Sequence, residues 1–195
     1  MNNFLIKAQQ KFIFLLQKIR ILNYRLLSSK VPKKDLAKRN QPILILGDGD
    51  VSLGACSLGF YPSPYFHNGY IHIEARSMTA SVNISDGVCI NNNAVIIAER
   101  EKISIEKNTL IGNDFTVYDS NFHNLDPNLR ISGTAKTAAV VIGENVFIGS
   151  RVTILKGVKI GNNSIIASGA VVTSSIPDNC IAGGIPAKVI RQILE

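Results

Sequence analysis

Three imidazoles, His67, His72 and His123, are the side chains of this sequence suited to exchanging a proton near neutral pH. His123 stands in the stretch SNFHNLDPNLR, Ser120 to Arg130, where polar and turn-forming residues interrupt the aliphatic pattern on either side. An imidazole there can exchange a proton, and for a histidine standing alone the ordinary reading is a surface residue in a turn with Asp126 and Pro127. Asp119 and Asp126 are the acids placed to orient its ring, although loop acids more often stay solvated or cap turns. Cys56, Cys89 and Cys180 show no metal-type pairing; an odd cysteine count implies a reducing compartment and small buried or corner residues.

The element that must position His123 is a repeat. From Ile142 the chain reads IGENVF, IGSRVT, ILKGVK, IGNNSI, IASGAV, VTSSIP. Ile142, Ile148, Ile154, Ile160, Ile166 and Val172 form one column; Val146, Val152, Val158, Ser164, Ala170 and Ile176 form a second, four residues behind each. The register recurs upstream in Ile84/Val88, Ile90/Ala94 and Ile96, then, after a shift of three, in Ile105/Thr109, Ile111/Phe115 and Val117. Two inward residues in every six, on short strands with glycine-rich corners, predict an all-β parallel β-helix whose interior is a stack of aliphatic layers. Between Val117 and Ile142 nothing fits, so residues 118–141 are expected to form a long loop excursion from one coil.

The run ILILGDGDVSLG from Ile43 looks like a strand entering a dinucleotide fingerprint. Ser52 stands where the third glycine is needed and no amphipathic helix follows, so it reads instead as irregular first coils, with the Pro62 and Pro64 segment as a bulge. Composition agrees: 46% of the residues are hydrophobic but only 7% aromatic, with no Trp, which suits many small layers better than one bulky core.

Charge is unevenly placed. Residues 1–40 hold ten Lys or Arg against the single acid Asp35, a net of +9, so the rest of the chain carries −2 of the overall +7. Leu5, Ala8, Phe12, Leu15, Ile19, Leu22 and Leu26 recur at spacings of three and four and predict a helix of some twenty-five residues, with Lys7, Lys11, Lys18 and Arg25 along one flank. Ile6, Ile13, Phe14, Ile21 and Tyr24 make the remainder apolar too, so the helix needs a partner surface. The uncharged stretch between Lys11 and Lys18 is far shorter than the roughly twenty residues of a membrane span, and a cleaved signal lacks its apolar region and cleavage site. Two partners fit, sister subunits or anionic lipid. Nucleic acid does not, since the body offers no continuation of the basic patch. The expected organisation is a basic helix and linker at 1–40, the repeat at 41–183 and a closing segment at 184–195.

From about Ile84 to Arg191 the sequence resembles the hexapeptide-repeat acyltransferases, and within them the galactoside, maltose and capsular or lipopolysaccharide sugar O-acetyltransferases. FHNLDPNLR resembles their histidine loop, VFIGSRVTI their acyl-donor coil and IPDNCIAGGIPAKVIR their closing segment. The resemblance implies a left-handed coil, a homotrimer, and direct acetyl transfer from acetyl-CoA to a saccharide hydroxyl in a cytoplasmic enzyme, either free or at the inner face of the membrane. It implies His123 as general base, Asn93 on the acceptor, the backbone N–H of Ser150 on the oxyanion, and Ser168, Thr173, Lys188 and Arg191 along coenzyme A. Ser174 stands where relatives often carry lysine, which puts one phosphate contact in doubt. Asp119 and Tyr65 are further candidates on the acceptor side, and Tyr61, Tyr65, Phe66 and Tyr70 can either stack on sugar rings or pack the edge of the prism. The alternatives are N-acetylation of an amino-sugar nucleotide, a non-catalytic scaffold, and a zinc site. The last follows from His67 and His72, whose spacing resembles that of hexapeptide-repeat carbonic anhydrases. Their third histidine lies upstream on regular coils, whereas the only other one here is His123, so no metal is expected.

Overall fold

The computed structural model describes residues 3–193. Met1, Asn2, Leu194 and Glu195, assigned above to the appendage and the closing segment, lie outside the described residues, as do the side chains of Ile6 and Ala8. The chain opens with helix α1 (Asn3–Leu27) and then winds into a prism of three sheets with six, eight and six strands. The first face ends in Lys102–Ile105, Val140–Ile142 and Lys159–Ile160; the second includes Cys89–Ile90, Leu110–Ile111, Phe147–Ile148 and Ile165–Ile166; the third includes Ile43–Leu46, Ile71–Ala75, Val95–Ala98, Thr116–Tyr118, Thr153–Ile154 and Val171–Val172. Neighbouring strands within each face are parallel, except that the last, Ala187–Gln192, returns antiparallel on Cys180–Gly184.

Period-six spacing makes this shape because each hexapeptide supplies one two-residue strand and one corner. Both columns point inward: every member from Ile142 to Ile176 is 5% exposed or less. Ile148 pairs in register with Ile111 on one side and Ile166 on the other, and all three are buried. No coil could bury this surface alone, so each layer stabilises its neighbours. Ile148→Ala is therefore expected to cost about 2–5 kcal/mol, measured as a lowered urea midpoint with unchanged m-value, because a closed stack cannot collapse into the void.

Two polar residues stand in the inner column without penalty. Thr109 donates its hydroxyl to Gly143 O at 2.8 Å and accepts from Val146 N at 3.1 Å. Ser164 does the same between Pro177 O (2.7 Å) and Cys180 N (3.1 Å). Each stitches successive coils with a satisfied buried hydroxyl. The corner between the first and second faces is a stack of left-handed residues, Gly87, Asn108, Asn145, Asn163 and Asn179, with φ between +54° and +74°. Asparagine tolerates that conformation, and its amides link up the stack, Asn145 to Asn163 at 3.0 Å and Asn163 to Asn179 at 2.9 Å.

Helix α1 packs through a face other than its apolar stripe. Leu5, Phe12, Leu15, Ile19, Leu22 and Leu26 are exposed, whereas Gln17 is buried and Ile13, Arg20, Ile21 and Tyr24 are half-buried. Gln17 donates to Asn40 O (3.0 Å) and Phe66 O (3.1 Å), and Arg20 donates to Gly69 O (2.8 Å). Beyond the helix the chain covers the rim strand Ile43–Leu46: Ile45 N donates to Ser28 Oγ at 3.0 Å and Lys30 N to Ile45 O at 3.3 Å.

Candidate functional site

Between Tyr118 and Val140 the chain leaves the third face and returns on the first, with only one short helical turn, Pro127–Leu129, on the way. Ser120 and Thr137 form an isolated antiparallel bridge at its root. Asp119 sits at that root and is fully buried. Its Oδ1 accepts from Glu99 N at 2.7 Å, and its Oδ2 from Arg100 N at 3.0 Å and Glu101 N at 2.7 Å. This corrects the placing of Asp119 on the acceptor: its oxygens are occupied by the turn one coil below, and it anchors the segment instead. Asp126 does not orient the histidine either; its carboxylate accepts from Asn128 N at 2.9 Å and caps the helical turn.

His123 is exposed, and its Nδ1 lies 3.2 Å from the carbonyl oxygen of Arg130. A carbonyl can only accept, so Nδ1 carries the hydrogen, and in the neutral ring Nε2 is the nitrogen with a free lone pair. The preceding residue, Phe122, is held in a left-handed conformation (φ +59°) against Tyr118, with ring centroids 5.1 Å apart. The Arg76 guanidinium lies 5.2 Å from the Phe122 ring centre, a cation–π contact. Arg76 is itself aimed by Glu74, through bonds of 2.8 and 3.2 Å. Those bonds hold the Glu74 carboxyl below its ordinary value against the opposing effect of burial, and His72 adds to the lowering. A depressed folded-state pKa stabilises above the ordinary glutamate pKa of about 4.3 and ceases to do so as acid protonates the group.

A second cluster lies one corner away, between the second and third faces. Asn93, Asp114, Arg151 and Gly169 stack there in left-handed conformation. Asn93 Nδ2 donates to Asp114 Oδ1 at 2.8 Å. Ser150 donates its hydroxyl to Asn113 Oδ1 (2.7 Å) and its N–H to the exposed Ser168 hydroxyl (3.2 Å). Asn93, Ser150 and Ser168 thus share one edge. Thr173 lies on the edge from which the His123 segment departs, and exposed Lys188 and Arg191 lie on the antiparallel closing strand. Among the described residues no hydrogen bond joins His123 to Ser150, Ser168, Thr173, Lys188 or Arg191.

The aromatic segment joins the Asn93 edge through residues that the sequence reading missed. Buried Gln41 donates to Tyr65 O at 2.8 Å and accepts from Asn93 N at 2.9 Å. Buried Asn92 donates to Phe60 O (3.0 Å) and Pro64 O (2.8 Å). Gly69 is required where it stands, since a Cβ there would come within 2.9 Å of Tyr65 and 3.1 Å of Asn93 Oδ1. Of the four rings, Phe66 is buried and Tyr70 packs on Tyr24 at 5.0 Å, while Tyr61 and Tyr65 stay 37% and 40% exposed. His67 packs edgewise on Phe66 at 5.2 Å, and among the described residues no group of three His, Cys, Asp or Glu is arranged to hold a metal. Cys56 and Cys180 are buried and Cys89 is exposed on a strand; burial pushes the Cys56 thiol up to about 11, leaving it inert at neutral pH.

A family model described as Bacterial transferase hexapeptide (six repeats) matches residues 139–174. A Saccharomyces cerevisiae protein named as an acetyltransferase is 36% identical over 178 residues, 91% of this chain and 81% of that protein. Galactoside O-acetyltransferase of Escherichia coli is 37% identical over 133 residues, 68% of this chain but only 59% of that enzyme. Among solved structures, a hexapeptide-repeat acetyltransferase of Vibrio cholerae superposes with a TM-score of 0.59 at 23% identity, over 96% of this chain and 90% of that one, and shares the fold.

Proposed function

The chain belongs to the hexapeptide-repeat acetyltransferase family, and from that premise we propose that it transfers an acetyl group from acetyl-CoA to a hydroxyl of a saccharide, a capsular or lipopolysaccharide sugar or its precursor, with His123 as general base. The observation that carries the reading is the Nδ1 contact to Arg130 O, which leaves Nε2 as a proton acceptor on an exposed loop.

The residues fit such a donor. Ser168 and Thr173 expose hydroxyls on consecutive corners of the last coils, and a Cβ added at Gly169 would meet nothing within 4 Å, so a narrow chain can lie there with its amides on the backbone. Lys188 and Arg191 supply cations at the mouth of that groove. Acetyl-CoA brings an activated acyl group; the protein holds the acceptor and manages its proton. As the hydroxyl oxygen bonds to the acyl carbon, Nε2 takes its hydrogen. The carbon–sulfur bond then breaks and the imidazolium returns the proton to the departing sulfur, so nothing stays bound to the enzyme. The Ser150 N–H faces the charge developing on the carbonyl oxygen, because its bond to the rotatable Ser168 hydroxyl is long and readily exchanged. Asn93 and Tyr65, both fixed through Gln41, form the acceptor side.

His123 and Ser150 stand on different edges of one prism, so the complete site lies between neighbouring copies of a homotrimer, as the family resemblance implies; the winding is read as left-handed on the same ground. Exposed Leu125, Leu129 and Ile131 on the histidine segment supply apolar surface for that packing.

The test is thiol release from acetyl-CoA by the purified protein across a panel of oligosaccharides. Saccharide-dependent release is expected; release only with amine-bearing sugars would replace O-transfer by N-transfer, and none with any saccharide would overturn the acceptor class. Arg76 acts as a positioning residue through Phe122. Arg76→Ala is expected to lower kcat about tenfold with KM nearly unchanged, and Arg76→Lys to recover part of it, since the cation rather than the fork shape orients the ring.

A further inference from the structure

The apolar stripe of α1 has no partner among the described residues. Leu5, Phe12, Leu15, Ile19, Leu22 and Leu26 are each 48% to 76% exposed. The stripe is nevertheless held at a defined angle, because Gln17 and Arg20 bond the opposite side to the body. Along one flank run Lys7, Lys11, Lys18 and Arg25, and none of the four pairs with a carboxylate among the described residues. The helix contains no acid.

A second basic element lies on that same flank. One groove is lined by Phe14, Lys18, Lys38 and Tyr61, and another by Arg25, Lys30, Val31 and Asp35, whose carboxylate is taken up by Arg39 at 2.8 and 2.9 Å. Cations from the helix and from the following segment therefore converge beside the stripe. A surface complementary to this arrangement is apolar within and anionic at its border. A bilayer with acidic headgroups has that composition. A second copy fits it less well: helix against helix would oppose two acid-free helices of net +5 each, from Lys7, Lys11, Lys18, Arg20 and Arg25. The helix is too polar to insert across a bilayer, since no helix among the described residues is long and apolar enough to cross one.

We propose that α1 lies in the interface of an anionic membrane, with Leu15, Ile19 and Leu22 among the acyl chains and the Lys7–Lys11–Lys18–Arg25 flank at the phosphates. This rests on the helix alone and is independent of the acetyl-transfer reading.

The test is co-sedimentation of the full chain with phosphatidylcholine vesicles, with and without phosphatidylglycerol. Binding is expected only on the acidic vesicles, and high salt should release it. One variant combines Lys7→Gln, Lys11→Gln, Lys18→Gln and Arg25→Gln; another combines Leu15→Ser, Ile19→Ser and Leu22→Ser. Each is expected to weaken partitioning at least about a hundredfold while Tm and solution mass stay unchanged. Absent binding to acidic vesicles, or equal binding to neutral ones, overturns the proposal. A changed solution mass in the serine variant would overturn it too, and would assign the stripe to a second copy.

Discussion

Replacing His123 by Ala is expected to lower kcat by about a hundredfold to ten-thousandfold, the usual contribution of a positioned general base, and to leave the folded state intact. The side chain is exposed and makes a single polar contact, to Arg130 O; surface substitutions of that kind usually shift stability by no more than about 0.5 kcal/mol. The readouts are thiol release under saturating acetyl-CoA and an unchanged thermal transition. Retained turnover in an intact protein would remove His123 from the chemistry, whatever the fold.

Asp119→Ala should damage the protein in the reverse manner, through stability first. The substitution deletes the acceptor of three backbone N–H groups, those of Glu99, Arg100 and Glu101, at a fully buried site. Leaving even one buried donor unsatisfied costs about 1–3 kcal/mol, so a loss of about 3 kcal/mol or more in urea unfolding is expected. Turnover should fall with it, because Asp119 fixes the point at which the His123 segment leaves the prism. If unfolding is unaffected, water has replaced the carboxylate and the anchor is dispensable.

The stacked core was legible because inward residues recur at an interval no other architecture shares. Ile142 through Val172 could be counted without knowing what they touch. Thr109 and Ser164 could be counted into that column by their spacing, but nothing local shows that each hydroxyl bridges two turns of backbone. Asp119 was misread for a related reason: an acid beside a candidate base suggests substrate, and its burial depends on residues 99–101, about twenty positions earlier. Gln41 and Asn92 were invisible because their partners are mainly backbone carbonyls of residues 60–65, and a carbonyl has no signature in a sequence. The helix was legible as a helix. Its docked side was not, because polar Gln17 and Arg20 fasten it while the leucines face outward.

The two ends of the winding have a further consequence. Parallel coils present open hydrogen-bonding rims, and a bare rim would accept another molecule as readily as its own next turn. Here Ser28 and Lys30 occupy the first rim, and the reversed strand Ala187–Gln192 closes the last turn on the second face. Each molecule is thus a terminated polymer, and removing either stopper would leave an open rim on which another molecule could continue the winding.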